Sequence, residues 1–384
     1  MEIITYFIIF ILYSLTAVYC LSMLVMLYGL FRIPRYNTGK KHFLSVVIAA
    51  HNEEKTIEKC LNCLIKQDYP EELYEIIIAD DRSSDKTPQI ILNYCNRYKK
   101  IRSVRIDPEE SFVPKKTALI KGLNIARGDI IISTDADCIQ PVGWLTALNS
   151  HFSKKVGMVI GHTEYLKSAS FWKGIDSIDY FSQRVMGIAF LGLNSAYTCT
   201  ASNIAYRKEI FDNNKNDFKN AGVRPAEDNL ILHWVHLKSS YKVAAAFEPS
   251  SIVTTHGASN FRHFMNQRFR WAAYGGNITT FSVKLFFVPL LLYYCFIWIS
   301  MLLTIFIPAI LYSILLSYLC KTLVDFLFML KASMLYRNVS QLKYFFPISV
   351  IHLILVPIIV LKGNLFTFDW KENTYSINSQ DVSN

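Results

Sequence analysis

The sequence predicts an α/β domain built on a mainly parallel sheet, with membrane-spanning helices at both ends of the chain. Short runs rich in Ile and Val alternate with helical patterns between residues 44 and 134. Polar residues follow three of these runs, and long apolar stretches occupy the two ends of the 384-residue chain. Apolar runs that do not alternate with polar residues are typical of strands covered on both faces, as in parallel sheets.

The N-terminal segment, residues 1–32, predicts a transmembrane helix. Residues 3–31 are almost entirely apolar, and this length exceeds the roughly 20 residues that a helix needs to cross a bilayer. A cleaved signal peptide is disfavoured, because the apolar core is too long and has neither a basic start nor a small-residue cleavage site. Basic residues follow the segment, so the positive-inside rule places the next domain in the cytoplasm. They are Arg32, Arg35, Lys40 and Lys41.

Residues 41–275 form the predicted soluble domain. Its second half, from 157 to 260, is less regular, with predicted helices at 170–190 and 227–238. Because parallel sheets bind ligands at the carboxyl ends of their strands, the site is expected at that edge. The predicted strands of the first half are 44–50, 74–80, 103–107 and 129–134, and the predicted helices between them are 53–66, 86–98 and 115–126.

Residues 283–362 predict a second membrane region with two or three transmembrane helices. The stretch 283–330 is long enough for two spans, and 344–361 is a candidate for a third. An interfacial helix within 322–336 would change the number of crossings, so the side on which the C-terminus lies stays open. Residues 363–384 form a tail whose end is rich in Ser and Asn.

The net charge of +10 is compatible with a partner that is a nucleic acid, an anionic membrane or a phosphorylated ligand. The chain has no long basic run, which disfavours nucleic acid and favours the membrane and a phosphorylated substrate. The eight cysteines are expected to be free thiols in a reducing cytoplasm. Cys60 and Cys63 are expected to pack on one helix face and not to hold zinc, because no second ligand pair accompanies them.

Acidic residues follow two of the predicted strands. Asp135 and Asp137 end the fourth strand, where hard oxygen ligands would suit Mg²⁺ or Mn²⁺. Two neighbouring acids at the end of a buried strand would cost stability without a cation or a positive partner. Asp81 follows the second strand, either within a turn that caps the next helix or as an acceptor for hydrogen bonds from a nucleotide.

Two further segments have both a structural and a functional interpretation. Glu227 and Asp228 begin a predicted helix, where acids interact favourably with the helix dipole; alternatively, Asp228 is a general base. The alternatives for the base are Glu227, Asp179 and Glu164. In the segment QRFRW, helical spacing places Gln267, Arg270 and Trp271 on one face, either as a membrane-interface belt or as groups that bind a diphosphate and a sugar ring.

In their order along the chain, the motifs IAAHNEE, DDRSSD, TDAD, the Glu227–Asp228 pair and QRFRW resemble those of family 2 glycosyltransferases. The resemblance covers residues 43–275 and extends to the membrane-bound branch of polysaccharide synthases and lipid glycosyltransferases. It implies a GT-A fold and inversion at the anomeric carbon. Two departures are Ala49, where the family usually has proline, and WKEN at residue 370, where many members have W-K-G-R.

The resemblance also implies roles for individual residues. The residues expected to contact the nucleoside are Ala50, Glu53 and Asp81. The donor is expected to contact Lys115 and Asp135. The metal is expected to bind Asp137, with Asp135 beside it. Asp228 is the expected base. Arg270 is expected to stabilise the leaving diphosphate. Together with Gln267 and Trp271, it is expected to line the part of the site that holds the acceptor and the diphosphate.

The expected function is therefore inverting hexosyl transfer from a nucleotide-diphosphate sugar, UDP-linked, to a lipid, a lipid-linked glycan or a growing polysaccharide. A processive polysaccharide synthase is one alternative, although three or four spans make a wide channel difficult without a homo-oligomer or a partner subunit. A non-catalytic nucleotide-binding scaffold or transporter is the alternative from another class. The expected location is a bacterial inner membrane with the catalytic domain in the cytoplasm.

Overall fold

The computed structural model describes residues 2–107, 115–220, 227–278, 281–365, 368–370 and 373–375. The helices within these ranges are α1 (Glu2–Phe31), α2 (Ile57–Leu64), α3 (Thr87–Arg97), α4 (Lys116–Ile125), α5 (Trp144–Ser150), α6 (Phe171–Gly192), α7 (Lys208–Asn213), α8 (Lys215–Asn220), α9 (Glu227–Lys238), α10 (Phe261–Ile278), α11 (Phe281–Leu303), α12 (Leu311–Leu335) and α13 (Phe345–Leu365). The strands are β1 (Leu44–Ala50), β2 (Tyr74–Asp80), β3 (Ile101–Arg105), β4 (Ile130–Ser133), β5 (Val156–Ile160), β6 (Thr163–Tyr165), β7 (Ile204–Arg207), β8 (Lys242–Ala245), β9 (Val253–Thr255), β10 (Phe368–Trp370) and β11 (Asn373–Tyr375).

The central sheet has, among the described residues, seven strands in the order β3-β2-β1-β4-β7-β5-β8. The pairs β1–β2, β2–β3, β1–β4 and β5–β8 are parallel, whereas β7 runs antiparallel to both β4 and β5. This arrangement confirms the predicted mainly parallel α/β fold of the GT-A type. The register pairs Ala50 with Asp80 and Asp80 with Arg105, so these strands end at a common edge.

The central strands lie where the Ile- and Val-rich runs predict them, because nearly every residue of β1, β2 and β4 is buried on one face or the other. On one side of the sheet, α2 packs through Ile57, Cys60, Leu61 and Leu64, which confirms that Cys60 belongs to an apolar helix face. On the other side, the sheet core is continuous with residues of α1, α6 and the C-terminal helices.

Four helices of the described chain are long and apolar enough to cross a membrane. They span Glu2–Phe31, Val283–Leu303, Pro308–Leu335 and Val339–Val360. Residues 322–335 belong to α12, which continues without interruption to Leu335 and is not followed there by a separate helix. Its position relative to a membrane interface stays a prediction. Lys321 of α12 is buried and lies 3.5 Å from the hydroxyl of Ser349 in α13.

The helices α1 and α6 approach each other closely at two glycines. A Cβ atom at Gly192 would overlap the carbonyl oxygen of Gly29, and a Cβ atom at Gly29 would overlap the carbonyl oxygen of Ala189. Small residues that let helix backbones come together are typical of packing between membrane helices. This contact joins the N-terminal span to the soluble domain.

We expect Gly192→Ala to destabilise the protein by about 1–3 kcal/mol, because the new methyl group meets backbone and cannot be relieved by a rotamer change. In an uncrowded helix the same substitution would be neutral or stabilising. The sign of the change in stability therefore shows whether the two helices approach as closely as described. The measurement is thermal unfolding in detergent. Gly39→Ala is the matched control, since a Cβ atom there has no neighbour within 4 Å; equal melting temperatures for both variants would contradict the close approach.

Candidate active site

The carboxyl ends of β1, β2 and β4 lie at one edge of the sheet, and Asp81 organises the loops there. Its N–H donates to the carbonyl of Ala50 (2.8 Å). Its carboxylate accepts hydrogen bonds from the N–H of Lys115 (2.6 Å) and the Nε of Arg82 (3.1 Å). Both Lys115 and Arg82 have positive φ angles, of 59° and 58°, which are uncommon for residues other than glycine. The bond from the backbone N–H of Lys115 to Asp81 stabilises the conformation of Lys115.

Glu53 lies in the loop after β1, at the same edge. Its N–H donates to Oγ1 of Thr87 (2.8 Å), and its carboxylate accepts a hydrogen bond from Thr56 (2.8 Å). These bonds join the β1 loop to the start of α3. The nucleoside contacts expected of Ala50, Glu53 and Asp81 stay predictions, although all three residues lie at the predicted edge.

Asp135 and Asp137 follow β4 and form, with Cys138, the candidate metal centre: one ligand atom from each lies within 4.8 Å of the others. Lys115 Nζ is 3.2 Å from Asp135, and Thr255 donates to Asp137 (3.1 Å). Burial, together with the charge of Asp135, raises the pKa of Asp137. Burial also raises the pKa of the Cys138 thiol well above its usual value. Hard cations prefer oxygen ligands to sulfur. The two carboxylates fit a hard cation such as Mg²⁺ or Mn²⁺.

Asp228, the second residue of α9, is only 8% exposed. One carboxylate oxygen accepts the N–H of Ala201 and the other accepts the N–H of Asn229, both at 2.8 Å. Burial and the charge of Glu227 raise the pKa of Asp228 to about 6, against the opposing charge of Lys115. A carboxylate with this pKa is ionised at neutral pH and still basic enough to accept a proton in a transition state.

Lys115 links the candidate metal centre to Asp228. Burial disfavours its charge, but the negative charges of Asp135, Glu227 and Asp228 outweigh burial and raise the pKa of Lys115 above its usual value. The lysine therefore stays cationic between the two carboxylate groups.

Helix α10 carries the QRFRW segment. Arg270 and Trp271 line the same cavity as Asp228, whereas Gln267 does not line it and instead lies 3.3 Å from Nε2 of His263. The Trp271 ring also contacts Tyr180, with the ring centroids 5.7 Å apart. The structure thus brings two of the three predicted face residues to the cavity.

Sequence reasoning missed Arg268, the second residue of the segment, which is 1% exposed. Its guanidinium contacts Asp176 (2.6 Å) and Asp179 (2.7 Å), and Asp179 also accepts a hydrogen bond from His352 (2.7 Å). Burial opposes ionisation, but the charge of Arg268 and the bond from His352 hold the pKa of Asp179 at about 2. These contacts make Asp179 a structural carboxylate, unlike Asp228.

Glu164, another alternative for the base, accepts a hydrogen bond from Nδ2 of Asn338 (3.1 Å). Burial raises the pKa of Glu164. Glu164 does not line the cavity that contains Asp228.

A cavity of about 890 Å³ is lined by some of the candidate site residues. It does not include Ala50, Glu53, Asp81 or Asp137 in its lining, and it continues from the sheet edge between the C-terminal membrane helices. Its lining near the sheet edge includes Lys115, Asp135, Glu227, Asp228, Arg270 and Trp271.

Arg184 of α6 also lines this cavity and was not predicted from the sequence. Its guanidinium lies over the rings of Tyr180 (5.2 Å) and Trp271 (5.5 Å) and donates to the carbonyl of Cys199 (3.0 Å). Its Nε is buried and has no hydrogen-bond partner within the part of the chain that the structure describes. The only sequence signal for this residue is a charge within a largely apolar helix.

This chain is similar in sequence and in fold to known glycosyltransferases. The family model described as Glycosyl transferase family 2 matches residues 45–214. The Probable glycosyltransferase YdaM of Bacillus subtilis is 31% identical over 141 residues, which are 36% of this chain and 34% of YdaM. The Beta-monoglucosyldiacylglycerol synthase of Trichormus variabilis is 38% identical over 99 residues, 26% of this chain and 21% of that protein. The matches thus span about a third or less of these two relatives.

Among solved structures, the mannosyltransferase PcManGT from Pyrobaculum calidifontis, in complex with GDP-Man and Mn²⁺, has a TM-score of 0.54 to this chain at 17% sequence identity. The similarity covers 92% of this chain and 99% of PcManGT, and it shows a shared fold. The family model and the sequence relatives thus show the same similarity. Over residues 45–214 this chain matches glycosyl transferase family 2.

Proposed function

We propose that the chain is an inverting glycosyltransferase that moves a hexose from a nucleotide-diphosphate sugar to a hydroxyl of a membrane-associated acceptor. The acceptor classes are a lipid, a lipid-linked glycan and a growing polysaccharide. The observation that carries the proposal is that one cavity is lined by Asp135, Asp228 and Arg270. These are a carboxylate of the candidate metal centre, a carboxylate with a pKa of about 6, and a guanidinium.

On the donor side, Asp135 and Asp137 would hold Mg²⁺ or Mn²⁺, which would supply charge neutralisation for the departing diphosphate. Lys115, cationic beside Asp135, would bind the donor at the same edge. Arg270 would stabilise negative charge that develops on the leaving oxygen, and its bidentate donors suit a phosphate group.

On the acceptor side, Asp228 would remove the proton of the attacking hydroxyl. The N–H groups of Ala201 and Asn229 hold its carboxylate in place, which favours a fixed attack geometry. The attack would come from the face opposite the leaving diphosphate, so the anomeric configuration would invert without a covalent intermediate. Trp271 lines the cavity beside the guanidinium of Arg184, and the part of its ring that faces the cavity would contact a sugar.

Processive polymer synthesis is a second candidate, because the cavity continues from the site among the membrane helices. The two candidates differ in their product. Incubation of the purified protein with UDP- and GDP-linked hexoses, a lipid acceptor with a free hydroxyl, and Mg²⁺ or Mn²⁺ should release a nucleotide diphosphate, with a UDP-sugar as the expected donor. The acceptor should gain one sugar. A ladder of products would favour the processive alternative.

We expect Asp137→Asn to abolish turnover, because an amide does not replace an anionic ligand at a hard-cation site. Release of the nucleotide diphosphate should also stop in EDTA and recover with Mg²⁺ or Mn²⁺. The matched control is Cys138→Ala, which should retain the metal dependence, since a hard cation prefers the two carboxylates to a sulfur ligand. Wild-type activity that persists in EDTA would contradict the metal assignment.

We expect Asp228→Asn to lower kcat by about 10²- to 10⁴-fold, the usual contribution of a positioned base. The rate is expressed per folded protein, measured by donor binding, because the amide also disturbs the contact with Ala201. Glu227→Gln is the control, with a smaller loss expected, since adjacent helical residues point about 100° apart. A near-normal kcat for Asp228→Asn would remove the base assignment.

The pH dependence provides a separate check on Asp228. A base acts when deprotonated, so kcat/KM should rise as the pH increases through about 6 and fall about tenfold per pH unit below it. The measurement is the rate of nucleotide diphosphate release in buffers of constant ionic strength. A rise centred near pH 4 would indicate a carboxylate of ordinary pKa as the base.

The proposal also places residues 41–275 in the cytoplasm of a bacterial cell, with the N-terminus outside the inner membrane. In sealed cells, a membrane-impermeant maleimide should label Glu2→Cys and should not label Gly39→Cys, relative to the wild type. Permeabilised cells should show labelling of both variants. The reverse pattern in sealed cells would overturn the orientation.

A further inference from the structure

The membrane helices contain a buried ion pair in α12. Nζ of Lys321 lies 2.9 Å from Asp325, and the two side chains are 1% and 15% exposed. Tyr19 of α1 donates to both carboxylate oxygens of Asp325 (3.0 and 3.1 Å). Lys321 lies 5.4 Å from the ring centroid of Tyr294 in α11 and 3.5 Å from the hydroxyl of Ser349 in α13. All four candidate spans therefore contribute to this cluster.

The cluster is part of the wall of the cavity that contains Asp228. Ionisable residues among membrane helices are costly, and they face a bundle interior or a polar ligand path. The remaining wall in this region is mainly apolar. It includes Phe287, Leu290, Leu291, Phe328, Val356 and Ile359. One cavity thus presents a charged, hydrogen-bonding patch and an apolar surface, and the two together suit an amphiphile.

We propose that Lys321 and Asp325 bind the hydroxylated head group of a lipid acceptor, whose hydrocarbon chain lies along the apolar wall. The inference rests on the proposed function and names the acceptor class for the same cavity. A lipid without a polar head group would place hydrocarbon against the ion pair, which is unfavourable, and the proposed transfer requires a hydroxyl on that head group. A free glycan would lack polar partners along most of the wall. An amphiphile matches both surfaces.

The alternative is that the pair only holds α12 against α1. The two roles are separable because the same helices share a second polar contact, Thr16 to Ser317 (2.6 Å), which does not line the cavity. The test variant is Lys321→Met with Asp325→Leu, which removes both charges and leaves no single buried charge behind. The matched control is Thr16→Val with Ser317→Ala.

The experiment measures binding of monoglucosyldiacylglycerol and of phosphatidylcholine to the full-length protein by native mass spectrometry. The detergent must have no sugar head group, because an alkyl maltoside would compete for the same site. We expect the wild type and the control to prefer the glucolipid. The double variant should bind it about 10- to 100-fold more weakly, the range for lost hydrogen bonds to charged groups, and its phosphatidylcholine binding should change less.

Equal glucolipid affinity in the wild type and the double variant would overturn the proposal and leave the pair a purely structural role. Displacement of the glucolipid by free maltotriose at a similar concentration would overturn the lipid class. Should the double variant not fold, Tyr294→Phe removes one hydroxyl beside Lys321, and an unchanged glucolipid affinity would count against the site. Glucolipid binding without nucleotide diphosphate release from any donor would contradict the proposed glycosyl transfer but not the binding of the lipid at Lys321 and Asp325.

Discussion

The buried cation Arg268 lies where three helices of the molecule meet. It contacts Asp176 and Asp179 of α6, and Asp179 also binds His352 of α13. Loss of one partner from such a cluster leaves an uncompensated buried charge and typically costs about 3–5 kcal/mol. Because α6, α10 and α13 meet at this point, the cluster joins one candidate membrane span, α13, to α6 and α10. Arg268, Asp179 and His352 also line the cavity that contains Asp228.

Two aspartates that line this cavity, Asp179 and Asp228, have different pKa values because their surroundings differ. Asp179 has a guanidinium and a histidine within hydrogen-bond distance, and these hold its pKa at about 2. Asp228 is buried beside Glu227, with Lys115 as an opposing charge and backbone N–H groups as its direct partners, and its pKa rises to about 6. Pairs of groups whose environments separate their pKa values indicate acid and base roles. Asp228 is therefore the better base.

Much of the candidate site follows from local sequence patterns. Asp135 and Asp137 are expected at the sheet edge because they follow a buried strand, and Asp228 because it begins a helix. The face of Gln267, Arg270 and Trp271 is less well predicted. Helical spacing predicts which residues share one side of a helix, but it does not predict which neighbouring elements contact each residue. Gln267 lies beside His263 on the same helix, and Arg268, about 100° from it, points into the acidic cluster of α6.

The sequence by itself determined the strands, the helices and the apolar segments, since these depend on periodicity and composition within some ten to thirty neighbouring residues. Tertiary structure alone decided which charges are paired and which remain available to a ligand. The bond from Tyr19 to Asp325 joins residues 306 positions apart, and no local pattern encodes such a contact. The continuity of the cavity from Asp228 to Lys321 arises in the same way, because its walls come from helices that are adjacent only after folding.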